Sequence, residues 1–151
     1  MRSRASSSAA PGAPATRERP RIHVVAAALY DSCGQVLIAQ RTAGKHLAGR
    51  WEFPGGKVAA GESEPVALAR ELREELGIEV QAARALMRLQ HTYEDQHVEL
   101  SLWLVSAFRG TPQPLEGQPL RWVAPARLAE HDILEADRPF IAALQALPPP
   151  Q

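Results

Sequence analysis

The chain has 151 residues, about 45% of them apolar, which is enough for one domain with a buried core and too few for two comfortable ones. Lysine plus arginine and aspartate plus glutamate both number 17, so the formal charge is zero, which argues against a nucleic-acid or anionic-membrane partner. A single cysteine, Cys33, excludes an internal disulfide and fits a cytoplasmic protein, and the longest apolar run, VVAAAL, is too short to span a membrane.

The first twenty residues are rich in serine, alanine, proline and arginine and carry no large apolar side chain after Met1. We expect residues 1–20 to be a disordered tail, because they cannot bury surface. The prolines oppose the amphipathic helix of a transit peptide, and the apolar core of a secretory signal is missing. A dispensable tail or a misplaced start codon explains the segment best. Residues 148–151 are expected to be a disordered C-terminal end.

From residue 21 the pattern is that of a folded domain. The runs IHVVAAALY and QVLIAQR, separated by DSCG, predict two strands joined as a hairpin, with Cys33 in the turn. A glycine-rich loop, WEFPGGKVAAGES, follows. The next segment predicts a helix, with Ser63 as N-cap, Pro65 in the first turn and Gly77 just past the end.

The second half predicts two long strands, at about 79–91 and 97–108. A proline- and glycine-rich loop, RGTPQPLEGQP, leads to a short strand, LRWV, and DRPFIAALQAL predicts a closing amphipathic helix. Strands mixed with few helices indicate one α/β domain over residues 21–147.

The predicted helix gathers three glutamates within an arc of about 100°, at the margin of its leucine stripe. Glu71, Glu74 and Glu75 form this cluster, and Arg70 and Arg73 fall on the far side, toward solvent. Clustered carboxylates repel one another, and their oxygens suit Mg²⁺ or Mn²⁺ better than zinc. A solvated charged face has the same pattern, so the helix alone leaves both readings open.

The preceding loop favours the metal site. Gly56, five residues, Glu62, seven residues and RELREELGI together satisfy G-x5-E-x7-R-E-U-x-E-E-x-G-U, where Leu72 and Ile78 are the apolar U positions. Every fixed position is filled. The chain therefore resembles the Nudix hydrolases, and the stretches WEFPGGK, EGQPLRWV and ADRPFIAAL are similar to its MutT-like branch. This resemblance implies the Nudix fold, an α/β/α sandwich around a mixed β-sheet.

The resemblance also implies an activity. MutT-like Nudix enzymes use Mg²⁺ or Mn²⁺ to hydrolyse nucleoside triphosphates, and their 8-oxo-dGTP diphosphatases remove an oxidised nucleotide from the pool used in DNA replication, which counts as DNA repair. Water attacks the β-phosphorus, releasing nucleoside monophosphate and pyrophosphate. The implied substrate is thus 8-oxo-dGTP, and the oligomeric state, monomer or homodimer, is left open.

The resemblance assigns the acidic residues by position. The implied metal ligands are Gly55, through its carbonyl, and Glu71, Glu74, Glu75 and Glu116. Glu71 is the implied general base, although Glu74 or Glu116 could share that role. Glu116 stands on a loop and could swing in only when nucleotide binds. Gly56, Glu62 and Arg70 are implied structural residues, the last two as a pair that ties the loop to the helix.

The nucleotide side of the site is assigned in the same way. The implied substrate-binding residues are Arg41, His46, Glu52, Phe53, Pro54, Gly55, Tyr93 and Asp137. Simpler interpretations exist for three of them: Arg41 as a strand-end charge, His46 as a loop histidine and Tyr93 as a packed strand residue.

Asp137 departs from MutT, which has asparagine there. An asparagine amide can donate to O6 and accept from N7–H of 8-oxoguanine, whereas an ionised aspartate only accepts. A protonated Asp137 could imitate asparagine if burial raises its pKa. An ionised Asp137 could instead accept from the amino group of cytosine, or from N1–H and N2–H₂ of guanine. Enzymes that resemble this sequence and act on CTP, dCTP or 5-methyl-dCTP carry aspartate here. Asp137 could also simply cap the last helix.

Three functions therefore remain open. The first is an 8-oxo-dGTP diphosphatase, and the alternative enzyme is a CTP or 5-methyl-dCTP pyrophosphohydrolase. A non-catalytic module that senses a nucleotide or binds a partner is the third, and the complete glutamate motif argues against it.

Overall fold

The structure, a computed structural model, describes residues 21–148, so the predicted tail of residues 1–20 and residues 149–151 lie outside it. The regular elements are β1 (Arg21–Leu29), β2 (Val36–Gln40), β3 (Trp51–Glu52), β4 (Gly55–Lys57), α1 (Glu64–Leu76), β5 (Glu79–Tyr93), β6 (Gln96–Arg109), β7 (Leu120–Val123) and α2 (Arg138–Gln145). Two short 3-10 helices, Pro125–Glu130 and Glu135–Asp137, precede α2.

The strands form two sheets. Four make a mixed sheet in the order β4-β1-β6-β5, in which β1 runs parallel to β6 and the other pairs are antiparallel. Three make an antiparallel sheet in the order β3-β2-β7. The predicted hairpin between β1 and β2 is wrong, because the two strands belong to different sheets and meet at the isolated bridge between Tyr30 and Val36. Apolar patterning predicts strands but does not choose their partners.

Strand β1 separates two apolar clusters, because successive strand residues point to opposite faces. One cluster joins alternate β1 residues to the leucines of α1: Val25, Ala27, Leu29, Leu68, Leu72 and Leu76. The other joins the intervening residues to α2: Ala26, Ala28, Phe140, Ile141 and Leu144. With a helix packed on each face, the mixed sheet forms the predicted α/β sandwich, and the continuous apolar run of β1 is explained.

Helix α1 begins and ends as the sequence predicts. The Ser63 hydroxyl accepts a hydrogen bond from the N–H of Val66, and Pro65 lies in the first turn. Gly77 adopts a left-handed conformation (φ 72°), and its N–H donates to the carbonyl of Arg73. These caps fix where the glutamate face of α1 lies along the sheet. Within residues 21–148, no helix is long and apolar enough to cross a membrane.

Candidate active site

A cleft of about 310 Å³ lies where β1, helix α1 and the segment 41–57 meet. Its lining contains most of the predicted site residues: Arg41, His46, Glu52, Phe53, Gly55, Gly56, Glu71, Glu75, Tyr93 and Asp137. Glu116 lines an adjoining hollow of about 30 Å³, which also includes Arg41, Glu52 and Glu75. The remaining predicted residues, Pro54, Glu62, Arg70 and Glu74, lie outside both linings.

A larger depression, of about 850 Å³, lies near the opposite end of β6 and contains none of the predicted residues. Its described lining includes Tyr30, Arg84 and Thr111, with Asp31 as its one carboxylate. Because a Mg²⁺ or Mn²⁺ site needs several oxygen ligands, this depression lacks the chemistry that the sequence predicts. The smaller cleft is therefore the candidate site.

Two consecutive glycines in β4 allow close approaches on different sides of the strand, Gly56 to helix α1 and Gly55 to β1. The N–H of Gly55 donates to Oε1 of Glu75 at 3.3 Å. A Cβ at Gly56 would overlap the carboxyl group of Glu71, and one at Gly55 would overlap the carbonyl oxygen of Val25. The missing side chain of Gly56 thus makes room for Glu71, and the N–H of Gly55 holds Glu75 against β4. The preceding Pro54 helps to hold this strand, since its carbonyl accepts from the N–H of Ala27 in β1.

Arg70 lies among the carboxylates, so its predicted place on the solvent side of α1 is wrong. Its Nε and Nη2 donate to the two oxygens of Glu62 at 2.7 and 2.8 Å, and its Nη1 lies 3.0 Å from Glu71 Oε2 and 3.4 Å from Glu74 Oε1. The prediction failed because a long arginine side chain can turn its charged end away from the direction of its Cβ. The hydrogen bonds from Arg70 and from the N–H of Ala59 lower the pKa of Glu62 to about 2.

Burial and mutual repulsion raise the pKa values of the cleft carboxyl groups. Burial of its side chain is the main reason that the pKa of Glu75 rises to about 8. The charges of Glu71, Glu116 and Glu52 raise it further. Burial also raises the pKa of Glu71, although the hydrogen bond and charge of Arg70 act against it. In the described part of the chain, no cationic side chain offsets the charged form of Glu75, whereas Arg70 partly offsets that of Glu71.

These groups fit a divalent cation by their chemistry. Carboxylate oxygens are the hard donors that Mg²⁺ and Mn²⁺ prefer, and a cation would offset the repulsion that raises the pKa values. As the side chains stand, no group of three carboxylate, imidazole or thiol groups among residues 21–148 is placed to hold a metal ion. The side chain of Glu74 is 57% exposed and has room to change its rotamer.

The guanidinium group of Arg41 bonds to two other groups of the protein. Its Nη1 donates to Glu52 Oε1 at 2.9 Å, and its Nε donates to the carbonyl oxygen of His46 at 2.6 Å. Backbone hydrogen bonds from Arg41 also close the loop 42–50 at its base. The loop in turn places the His46 ring edge-on to Tyr93, with 5.9 Å between the ring centroids. Arg41 is therefore more than a strand-end charge, because it organises one side of the cleft.

Asp137 is buried, with 4% of its surface exposed, and its Oδ2 accepts from the N–H of Phe53 at 3.0 Å. Burial raises its pKa to about 7, even though the Phe53 hydrogen bond and the charge of Arg41 favour the ionised form; the charge of Glu52 adds to the rise. Asp137 occupies the N-cap position of α2, as the sequence suggested, but its side chain makes no capping hydrogen bond to the helix. The side chain instead lines the cleft and bonds the backbone at Phe53.

Three further residues at the cleft were not predicted. Lys45 and Lys57 line it, and within residues 21–148 their side chains make no salt bridge or hydrogen bond. Gln118 is 8% exposed and bonds the backbone of both Glu116 and Glu75. Lys57 and Gln118 stand in stretches that resemble MutT, so their positions could have marked them. Lys45 stands in the loop 42–50 and carries no comparable signal.

Comparison with known proteins places the chain in context. The NUDIX domain family profile matches residues 24–143. A CTP pyrophosphohydrolase of Escherichia coli K12 is 42% identical over 123 residues, covering 82% of this chain and 91% of the relative. An 8-oxo-dGTP diphosphatase of the same organism is 35% identical over 127 residues, covering 84% and 98%. A solved MutT structure, from work on the Aliivibrio salmonicida and Vibrio cholerae proteins, is 39% identical with a TM-score of 0.73, covering 83% of this chain and 98% of that one.

Proposed function

Because the chain belongs to the NUDIX domain family, we propose that it hydrolyses nucleoside triphosphates to nucleoside monophosphate and pyrophosphate, with 8-oxo-dGTP as its main substrate. The observation that carries this proposal is the glutamate-lined cleft, in which Glu71 and Glu75 lie against the glycines of β4. Partly buried carboxylates suit a polyphosphate that binds through a divalent cation. The proposed role is to clear oxidised guanine nucleotides from the cytoplasmic pool before DNA replication.

The proposed cofactor is Mg²⁺, which Mn²⁺ could replace. The residues proposed to hold it are Gly55, through its carbonyl, and Glu71, Glu74, Glu75 and Glu116. When bound, a divalent ion neutralises phosphate charge and makes water more acidic. The protein contributes the placement of these groups: the Gly55 N–H orients Glu75, and the pair of Glu62 and Arg70 fixes the loop after β4 against α1.

Glu71 is the proposed general base. Burial raises its pKa toward the neutral range, where a base is most effective, and the bond from Arg70 Nη1 to Oε2 orients its carboxyl group. Gly56 supports the same placement, because only a glycine leaves room for the Glu71 carboxyl group. Glu74 and Glu116 are the alternative bases, since adjacent carboxylates can exchange the roles of proton acceptor and metal ligand.

Asp137 supports 8-oxo-dGTP as the substrate. With a pKa near 7, a large share of the side chain is neutral at physiological pH and can both donate and accept, as the asparagine of MutT does. The Phe53 N–H occupies one lone pair of Oδ2, so a protonated Oδ1 is left to donate to the base and the second lone pair of Oδ2 to accept from it. The residues proposed to contact the nucleotide are Arg41, His46, Glu52, Phe53, Pro54, Gly55, Tyr93 and Asp137.

A cytidine nucleotide is the second candidate substrate. In its ionised form Asp137 offers only acceptors, which match the amino group of CTP, dCTP or 5-methyl-dCTP. The E. coli relative at 42% identity is named a CTP pyrophosphohydrolase, which favours the same candidate. A non-catalytic sensing module has less support, because a protein that only binds nucleotide has no need to keep repelling carboxylates in its cleft wall.

The test is pyrophosphate release, with Mg²⁺, from 8-oxo-dGTP, dGTP, CTP and 5-methyl-dCTP in parallel, with Glu75→Gln as the control. We expect turnover of 8-oxo-dGTP to be the most efficient and Glu75→Gln to abolish most of it. A preference for the cytidine nucleotides would replace the first substrate by the second. No turnover of any of the four would overturn both.

A further inference from the structure

The loop that carries Glu116 is fastened to the C-terminal end of α1. The N–H of Gln113 donates to the carbonyl of Leu76 at 2.9 Å, and the N–H of Leu115 donates to that of Glu75 at 3.2 Å. The last carbonyls of a helix have no partner within the helix, so the loop satisfies groups that would otherwise need water. The loop is thus part of the end of α1, and its position follows that of the helix.

One buried side chain, that of Gln118, joins Glu116 to Glu75 directly. Its Oε1 accepts from the N–H of Glu116 at 2.9 Å, and its Nε2 donates to the carbonyl oxygen of Glu75 at 3.2 Å. Because one partner is a donor and the other an acceptor, they fix the orientation of the amide. A carboxylate or an apolar side chain in its place would lose at least one of the two bonds.

The link holds together two groups that repel. The charge of Glu116 raises the pKa of the carboxyl groups of Glu75, Glu71 and Glu52. Like charges held close cost free energy, so the backbone bonds and the buried amide keep Glu116 at the cleft against this repulsion. Gln118 also lines the hollow that Glu116, Glu75 and Glu52 share.

We propose that Gln118 is a positioning residue that holds the backbone of Glu116 beside that of Glu75 before any nucleotide binds, so that both carboxylates are within reach of one cation. It rests on the proposed function, since it takes both glutamates as cation ligands. It also differs from the expectation that Glu116 swings in only with the nucleotide. Gln118 acts through the backbone of the two glutamates, and no contact of its own with the cation or substrate is required.

The test is Mn²⁺ binding to the nucleotide-free, full-length protein, measured from the electron paramagnetic resonance signal of free Mn²⁺. Gln118→Met keeps the length and bulk of the side chain but removes both bonds. We expect it to weaken Mn²⁺ binding about tenfold, since losing a group that orients a ligand costs about 10–100-fold in metal affinity. Glu116→Gln should weaken binding as well, and adding Gln118→Met to it should weaken binding no further, because the amide acts through Glu116.

The matched control is Gln145→Met. Gln145 also donates its amide to a backbone carbonyl, that of Pro125, at 3.0 Å, but it lies on α2 away from the glutamates. We expect its loss to leave Mn²⁺ affinity unchanged. Melting temperatures show whether each variant is folded at the assay temperature. If Gln118→Met is not, Gln118→Asn, which is too short to make both bonds, is measured in its place.

The outcomes separate this proposal from the proposed function. Wild-type Mn²⁺ affinity in the Gln118 variant, unchanged affinity in Glu116→Gln, or additive effects in the double variant would each overturn the positioning role, even if the wild type hydrolyses nucleotides. Conversely, the expected binding pattern in a protein that hydrolyses no nucleoside triphosphate would support the positioning role and contradict the proposed function.

Discussion

The carboxyl group of Asp137 accepts a hydrogen bond from the N–H of Phe53, across 84 positions of the chain, with 3.0 Å between Oδ2 and N. This bond fastens the start of α2 to the cleft wall just before β4. It also leaves the protonation state of Asp137 to decide what Oδ1 presents to a ligand: a donor when neutral, an acceptor when ionised. Reading O6 and N7–H of 8-oxoguanine needs neutral Asp137, whereas reading the amino group of cytosine needs ionised Asp137.

Asp137→Asn should therefore shift the substrate preference. Asparagine supplies a permanent donor and acceptor, so the ratio of kcat/KM for 8-oxo-dGTP to that for CTP should rise at about pH 8.5, where wild-type Asp137 is mostly ionised. A mismatch worth about 1–3 kcal/mol predicts a rise of roughly tenfold to a hundredfold. Steady-state kinetics with both nucleotides measure it. Asp137→Ala, which loses the Phe53 bond, should lower kcat/KM for both nucleotides. If the ratio of the two kcat/KM values is unchanged in Asp137→Asn, Asp137 does not read the nucleobase.

Asp137 should also make the free energy of unfolding depend on pH. Between its usual pKa of 3.8 and its native value of about 7, Asp137 binds more protons in the folded than in the unfolded protein. The free energy of unfolding contributed by this group therefore falls as pH rises through that window and levels off above it. The charges of Glu52 and Arg41 also act at this position, so the wild type alone does not isolate the effect.

The difference between wild type and Asp137→Asn does isolate it. Urea unfolding in the presence of a chelator, from about pH 5 to about pH 8, should show the variant gaining stability relative to the wild type as pH rises. At the lowest pH of this series, native Glu62, whose pKa is about 2, is still ionised. A difference that does not change with pH would mean that the native pKa of Asp137 is near its usual value.

Gly56→Ala tests the close approach of α1 to β4. The added methyl group would overlap the carboxyl group of Glu71, so kcat should fall by about a hundredfold or more if that group takes the proton. Gly61→Ala is the control, because Gly61 has a positive φ of 77° but open space around it. It should lower the melting temperature through backbone strain and leave kcat unchanged. Equal kcat values in the two variants would show that the overlap is relieved without displacing Glu71.

Arg70→Lys tests the bidentate pair with Glu62. A lysine keeps the charge but cannot bond both oxygens of Glu62 and reach Glu71, so we expect kcat to fall about tenfold, as for other groups that orient ligands. Arg73→Lys, on the same helix, breaks a similar pair with Glu79. The side chains of Arg73 and Glu79 are both about half exposed, and exposed ion pairs contribute little to stability. Arg73→Lys should leave kcat unchanged. A similar loss in both variants would point to damage to α1 as a whole.

Local signals predicted much of this fold. The caps and apolar stripe of α1 and the lengths of β5 and β6 follow from residues close in sequence, and the structure agrees with them. The partners of β1 did not follow, because it pairs with β4 and β6 through contacts that are distant in sequence. The pairing of β2 with β3 and β7 was missed for the same reason.

The candidate site divides in a similar way. The spacing of Gly56, Glu62 and Glu71 predicted the residues that the cleft and its border bring together. The helical wheel placed Arg70 toward solvent, whereas the motif implied its pair with Glu62, which the structure contains. The burial of Asp137 depends on the packing of several elements, so no pattern in the sequence could give it. Gln118 was missed because its bond to Glu75 joins a loop to a helix more than forty positions earlier in the chain.

Arg70 gives helix α1 an internal counterion. Its guanidinium group lies within hydrogen-bond distance of Glu71 and Glu74, so two of the acidic groups proposed to meet a cation already share a positive charge that the protein supplies. A divalent ion at Glu71 and Glu74 would then replace the guanidinium group of Arg70 as their positive partner. The measured ion affinity would be the difference between the free energies of these two interactions. A chain with such a counterion should stay folded and soluble in chelator, with the ion needed for turnover alone.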